Sequence, residues 1–288
     1  MAGLFDVPPS GPCVTPWVFG SRDTPRFKGV GYGKGKIIGK YNSVAGGMMQ
    51  DEVEKVTLLK CVPAVADLLR PYLFVGAVPF ATIAGLYELD EPARNRFDDS
   101  TMMHLIITEH AGKSVSDLFR SLAKTLDDDR LEQTVVCTLR SLFRALGRLK
   151  ADGGCIHQDA KLDNVVFGRS DYDDKICLRL IDFEHAVTES SGNAGADHEG
   201  WGGRPTFDGA SEGFDVHTAI ESAYAFTCKR VGGLQKLRRL RKGLFGKTSK
   251  PSTKSNGAGH AGVYLPSPSA VTFEEAIEAC TALLKDAI

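Results

Sequence analysis

The segment Cys155-Ile-His-Gln-Asp-Ala-Lys-Leu-Asp-Asn-Val-Val-Phe167 places His157, Asp159, Lys161 and Asn164 close together in the chain. Further on, Leu180-Ile-Asp-Phe-Glu184 ends an apolar run on a carboxylate. Phosphoryl transfer asks for groups of this kind. It needs metal ions that neutralise phosphate charge, a carboxylate that orients and deprotonates an attacking hydroxyl, and cations near the transferred group. The two segments supply that inventory.

These residues need rigid neighbours. Leu131, Val135, Leu139, Leu142, Phe143, Leu146 and Leu149 repeat at helical spacing, which predicts a helix over Leu131–Leu149 stopped by Gly153 and Gly154. The loop with Asp159 follows that helix and precedes a predicted hairpin, Val165–Phe167 and Ile176–Ile181 around a polar turn. Upstream, Lys36–Tyr41 reads as a strand. Met48–Leu69 reads as a helix that Pro63 ends or kinks, and Phe74–Tyr87 and Met103–Thr108 read as strands. Ser114 or Ser116 is placed to cap a helix running through Thr125, and a further helix is expected over 215–227. Thr272 with Glu275 forms a capping box for a last helix, with Ile277, Cys280, Leu284 and Ile288 on its apolar side. Prolines in residues 1–28 predict an extended leader with one short strand around Trp17–Phe19. The glycines of 191–213 predict a loop, and the Ser, Gly, Pro and Lys of 246–269 predict a flexible segment. Strands gather in the first third of the chain and helices in the rest.

With its surroundings in place, the chain resembles the eukaryotic-type protein kinases over about residues 36–228. His157-Gln-Asp159-Ala-Lys161-Leu-Asp-Asn164 matches the catalytic-loop pattern H-x-D-x-K-x-x-N, and Asp182-Phe183-Glu184 matches D-F-G apart from its last residue. The resemblance implies an α+β, bilobal protein-kinase-like fold with a small strand-rich N-lobe and a larger, mostly helical C-lobe. Residues 1–28 would be the leader, 29–111 the N-lobe with its hinge, and 112–288 the C-lobe. It implies ATP and Mg²⁺ (or Mn²⁺) as cofactors. Asp159 would be the base, Lys161 would contact the γ-phosphate, and Asn164 and Asp182 would hold the metal. Leu105-Ile-Ile-Thr-Glu-His-Ala-Gly112 resembles the strand and hinge that hold adenine, with Thr108 as gatekeeper and the backbone of Glu109 and Ala111 meeting the base. Phe214-Asp215-Val-His resembles the start of the large lobe's central helix, whose aspartate ties down the catalytic loop. With a short activation segment, this resembles the divergent Ser/Thr kinases of large DNA viruses.

Two registers are open for the ATP lysine. In one, Lys40 of Ile37-Ile-Gly-Lys40-Tyr pairs with Glu52. The other uses Lys60 of Val56-Thr-Leu-Leu-Lys60, which leaves no glutamate on the following segment, so the Lys40 register is preferred. The run Gly29-Val-Gly-Tyr-Gly-Lys-Gly35 is then a hairpin turn, and a degenerate nucleotide loop falls near Gly20-Ser21.

Three features depart from the kinase pattern: Gln158 stands for arginine, Glu184 for glycine, and no Ala-Pro-Glu precedes Asp215. Asp-Phe-Glu also occurs in choline-kinase-like and aminoglycoside-phosphotransferase-like enzymes, which share the fold and phosphorylate small molecules. Lys161 and the lack of their large helical insert speak against that group. The resemblance is read as a kinase acting on Ser/Thr hydroxyls of a protein substrate, with a small-molecule kinase and a catalytically weak or inactive kinase-like scaffold as alternatives. Without an arginine at 158, residues 185–213 offer only His185, His198 and Arg204 to a loop phosphate. Activity is therefore expected to be independent of phosphorylation there. His157 reads as a packed structural histidine and Asp163 as a solvated loop carboxylate, and the remaining histidines lack zinc-ligand spacing.

The 288 residues carry a net charge of −1, so attraction to nucleic acid or membrane must be local. Residues 229–254 hold ten Lys or Arg and no acid, with Leu234, Leu237, Leu240 and Leu244 at helical spacing. This stretch is either a contact for nucleic acid or an acidic surface, or a solvated helix packed on the large lobe. Seven scattered cysteines suggest buried thiols in a reducing compartment. Leu73–Tyr87, interrupted by Pro79, is too short for a transmembrane segment, and no secretory signal is visible. The expected location is intracellular and cytoplasmic, or host cytoplasm or virion for a viral protein.

Overall fold

The computed structural model describes residues 15–17, 26–30, 36–44, 49–69, 72–86, 95–109, 114–169, 176–189, 212–227, 234–246 and 271–285. The architecture is mixed α and β, with small antiparallel sheets. The chain forms two compact units, Met1–Gly112 with Gly168–Glu184, and Lys113–Phe167 with His185–Ile288.

The first unit is built on five strands: β1 (Thr15–Trp17), β2 (Arg26–Val30), β3 (Lys36–Ser43), β4 (Tyr72–Pro79) and β5 (Met102–Glu109). They pair antiparallel in the order β1-β2-β3-β5-β4. Two of these strands, β1 and β2, fall in or next to the expected leader, and each pairs in the sheet. β5 lies between β3 and β4, and Met103, Leu105, Ile106 and Ile107 are buried on its two faces, while Met102 at its start is exposed. Met103, Leu105 and Ile107 share one face and pack with Tyr41, Val78, Phe80 and Ile83 in a single core.

Phe74–Tyr87, expected as one strand, stops at Pro79 and turns into α2 (Phe80–Leu86). Proline has no N–H for the ladder. Beyond it, Phe80 and Ile83 sit three residues apart, so a helical turn keeps both in the core. The amides of Phe80 and Ala81 donate to the carbonyls of Thr101 (2.8 Å) and Asp99 (3.0 Å). The helix over Met48–Leu69 divides at Pro63, as its sequence requires, into α1 (Gln50–Lys60) and a 3₁₀ helix, Pro63–Leu68. α1 buries Glu52, Lys55, Val56 and Leu59 on one side.

Residues 168–184 group with this unit. The physical cause is local. β8 (Ile176–Leu180) docks through a parallel bridge from Leu180 to Leu69, and the residues after it are held by Lys40 and Lys55.

The second unit is mainly helical. α3 (Val115–Leu122) starts at Ser114, whose hydroxyl accepts from the Asp117 amide at 3.3 Å. α4 (Asp128–Gly153) is longer than the predicted Leu131–Leu149. Asp127 caps its start and Gly154, at φ 54°, ends it in the left-handed conformation that glycine adopts without strain. All seven residues of the expected apolar stripe are buried, at about 1.5–3 kcal/mol each. After α4 come β6 (Cys155–Ile156), β7 (Val165–Arg169) and β9 (Val187–Thr188), with β6 and β9 antiparallel.

Three more helices follow: α5 (Glu212–Thr227), α6 (Gln235–Phe245) and α7 (Phe273–Lys285). Glu212 accepts from Lys150 of α4 and from the Phe273 amide, binding three helices through one carboxylate. Glu132 of α4 likewise accepts the first amides of the basic α6, from Lys236 and Leu237. Leu234, Leu237 and Leu240 are buried, whereas Arg238, Arg239 and Lys242 are exposed. The capping box forms as predicted, with Thr272 and Glu275 exchanging backbone-to-side-chain bonds of 2.8 and 3.2 Å. The buried stripe of α7 is rotated from the expected one. Phe273, Ala276 and Cys280 face inward while Ile277 and Leu284 are half-buried.

Cys61, Cys137, Cys155 and Cys280 are free thiols, and Cys61 is exposed rather than buried. Among the described residues no helix is long and apolar enough to cross a membrane. Gly20–Ser21, residues 31–35, 191–211 and 247–269 lie outside the described residues.

Candidate active site

In the first unit the site is built around one ammonium. Lys40 lies on β3 across from Ile106 and is buried. Its Nζ donates to Glu52 Oε2 at 2.5 Å, Asp182 Oδ1 at 3.0 Å and Glu184 Oε2 at 3.2 Å. The partners come from α1 and from the turn after β8. Burial pushes the Glu52 carboxyl above the usual carboxylate range, although Lys40 pulls it down. Asp182 adopts φ 68°, a left-handed conformation that costs a non-glycine residue about 1–3 kcal/mol and persists only where its surroundings enforce it.

Three carboxylates stand against one lysine here, an excess of acid over base. Their oxygens lie within 4.8 Å of one another. An all-oxygen donor set of this kind fits Mg²⁺ or Mn²⁺. Lys60, the lysine of the rival register, is exposed at the end of α1, in a helix and not in a strand.

Thr108 is buried on β5 opposite Ile38, and Glu109 ends that strand opposite Ile37. Ala111 lies outside the described residues.

In the second unit the loop after β6 is fixed mainly through its backbone. Asp215 of α5 is fully buried, and its two carboxylate oxygens accept from the amides of Gln158 (3.1 Å) and Ala160 (3.2 Å). Presenting two alternate amides to one carboxylate requires a sharp turn, and Gln158 makes it at φ 59°. Burial pushes the Asp215 carboxyl up to about 7 in spite of those bonds. Ser222, also on α5, accepts from the Leu162 amide at 3.1 Å.

Held in this way, Asp159 Oδ2 accepts from Lys161 Nζ at 2.6 Å and from Asn164 Nδ2 at 2.7 Å. Asn164 also donates to the Asp159 carbonyl at 3.0 Å. The amide end of Asn164 therefore serves the loop, and its carbonyl end is the one chemically suited to a cation. The wholly buried His157 accepts from the Asp159 amide at 3.3 Å, in keeping with a structural part. The arrangement can polarise a hydroxyl at Asp159 and place a positive charge beside it.

Three contributors were missed from sequence. Lys55 is buried on α1, and its Nζ donates to the Glu184 carbonyl at 3.0 Å. Its place three residues after Glu52, on the same helix face, was the available signal. Glu184 had been noted only as a departure, not as a partner of Lys40. Asp163 is exposed, as expected of a solvated carboxylate, and in addition accepts from the buried Ser116 hydroxyl at 2.5 Å; Ser116 in turn meets Ser114 at 2.9 Å.

No family model and no curated protein matches the chain. Among solved structures it is similar to one titled "WaaP in complex with acyl carrier protein", at 13% identity and a TM-score of 0.42. The similarity covers 80% of this chain and 83% of that one.

Proposed function

We propose that the chain is an ATP-dependent phosphotransferase with a protein-kinase-like fold, using Mg²⁺ or Mn²⁺. One observation carries the reading. Lys40, Glu52 and Asp182, up to 142 positions apart in sequence and each singled out by its motif, meet at a single ammonium. Such a meeting is costly to assemble without a use, because three charged groups leave water for it.

In this reading Lys40, oriented by Glu52, holds phosphate oxygens of ATP. Asp182 and the carbonyl end of Asn164 are the metal ligands. Bound Mg²⁺ would neutralise charge on the phosphates. Asp159 takes the proton of an acceptor hydroxyl as that oxygen bonds to the γ-phosphorus, the bond to the bridging oxygen breaks, and ADP leaves. Lys161 offsets the charge on the transferred group. Thr108 and the backbone of Glu109 line the adenine position.

The acceptor we assign is a Ser or Thr hydroxyl of a protein, on the strength of Lys161 beside Asp159. A second reading, a kinase-like scaffold that binds nucleotide with little or no transfer, is favoured by the contact of Glu184 with Lys40. Incubation with γ-labelled ATP, Mg²⁺ or Mn²⁺, a generic basic protein and a panel of amino-alcohols separates these. Label in protein supports the first reading, label in a small molecule moves the acceptor class, and nucleotide binding without transfer supports the scaffold.

A further inference from the structure

An ammonium has three protons to donate, and at Lys40 three carboxylates receive them. A phosphate oxygen arriving there must displace one. Glu52 has a side chain only 6% exposed, so removing its cation would strand a buried charge. Asp182 is held in strained backbone and its side chain is 23% exposed. Glu184 makes the longest of the three contacts, 3.2 Å, and is the most exposed at 27%, so its release into water costs least. Lys55 holds the carbonyl of Glu184, so that the side chain can swing while the backbone stays.

We propose that Glu184 is an autoinhibitory competitor for the phosphate position on Lys40. It occupies that position in the nucleotide-free chain and is displaced when nucleotide binds. The Glu184 carboxylate, in the same 4.8 Å group as that of Asp182, would be drawn from Lys40 towards a divalent cation held at Asp182. Metal and nucleotide then strengthen each other's binding. The inference rests on the reading of Lys40 as the phosphate-binding lysine.

The test is the affinity of the full-length chain for a fluorescent ATP analogue, measured by anisotropy in EDTA and again in Mg²⁺. Glu184→Gln and Glu184→Ala should each bind about tenfold more tightly than the unaltered chain in EDTA, the worth of one charge-assisted bond, and Mg²⁺ should narrow the gap. Glu54→Gln, which removes an exposed charge from α1, the helix of Glu52, without touching Lys40, should change nothing. If the unaltered chain binds but the Glu184 variants bind no better, or Glu54→Gln gains as much, the competitor is refuted and the nucleotide site stands. If no form binds nucleotide in either buffer, the reading of Lys40 falls and the competitor falls with it.

Discussion

Asp215 and Asp182 hold their regions in opposite ways. Asp215 is sealed in the helical unit and grips backbone, two amides that fix the turn carrying Asp159. Asp182 in the strand unit grips another side chain, Lys40, in a cluster where acids outnumber bases and two of the acids reach solvent. A backbone-held loop keeps its geometry whatever ions surround it. A side-chain cluster with surplus charge responds to metal, phosphate and salt. The helical unit thus carries a loop held by its backbone, and the strand unit carries a charged cluster able to adapt.

The largest effects should come from Asp159→Asn and Asp182→Asn, each lowering transfer about a thousandfold or more without loss of folding. They should differ in binding. Asp159→Asn should keep nucleotide affinity, whereas Asp182→Asn should weaken it in Mg²⁺. Calorimetric titration of both variants checks this, and equal affinities would remove the distinction between the two regions.

Smaller effects should appear in stability against pH, with opposite signs in the two units. Asp215 has its pKa raised to about 7 from an ordinary 3.8, so the folded state retains a proton that the unfolded state has lost between those values. Its contribution is full below the lower value and disappears as pH rises through 7. His104 on β5 is buried with no partner for either ring nitrogen among the described residues, and burial lowers its pKa. Its contribution is full above its ordinary 6.5 and is lost as pH falls. Amide exchange from pH 4 to 8 should show the helical unit loosening towards high pH and the strand unit towards low pH. Asp215→Asn should flatten the former trend and His104→Phe the latter. Unchanged slopes in these variants would show that other groups govern the titration.

The smallest effect should come from the hydroxyl residues between 188 and 211. Alanine at Thr188, Ser190, Ser191, Thr206 and Ser211, or phosphatase treatment, should change the rate less than about twofold, since Gln158 cannot pair with a phosphate. A loss well beyond that would mean that a basic residue elsewhere replaces the missing arginine.

What was legible in the sequence was what is local. The apolar stripe of α4, its glycine stop, the capping box of α7 and the spacing from His157 to Asn164 are each settled within a few turns of chain. Ambiguity entered where one pattern suits two structures. Phe80 and Ile83 continue an apolar run that reads as strand until Pro79 is allowed to end it. In α7 the stripe through Ile277 and the stripe through Phe273 are neighbours on one helix, and packing selected the second. The role of Glu184 was out of reach, because it depends on a residue 144 positions away meeting it in space. Glu184 could be seen as a departure from a pattern, but what a departure does depends on its neighbours in space.

The central claim, that the meeting at Lys40 is a nucleotide site, is tested most directly by titrating MgATP into the unaltered chain, Lys40→Met and Lys60→Met in one calorimetric series. Binding should persist in the unaltered chain and in Lys60→Met and fall below detection in Lys40→Met. Binding retained by folded Lys40→Met and lost by Lys60→Met would contradict the claim.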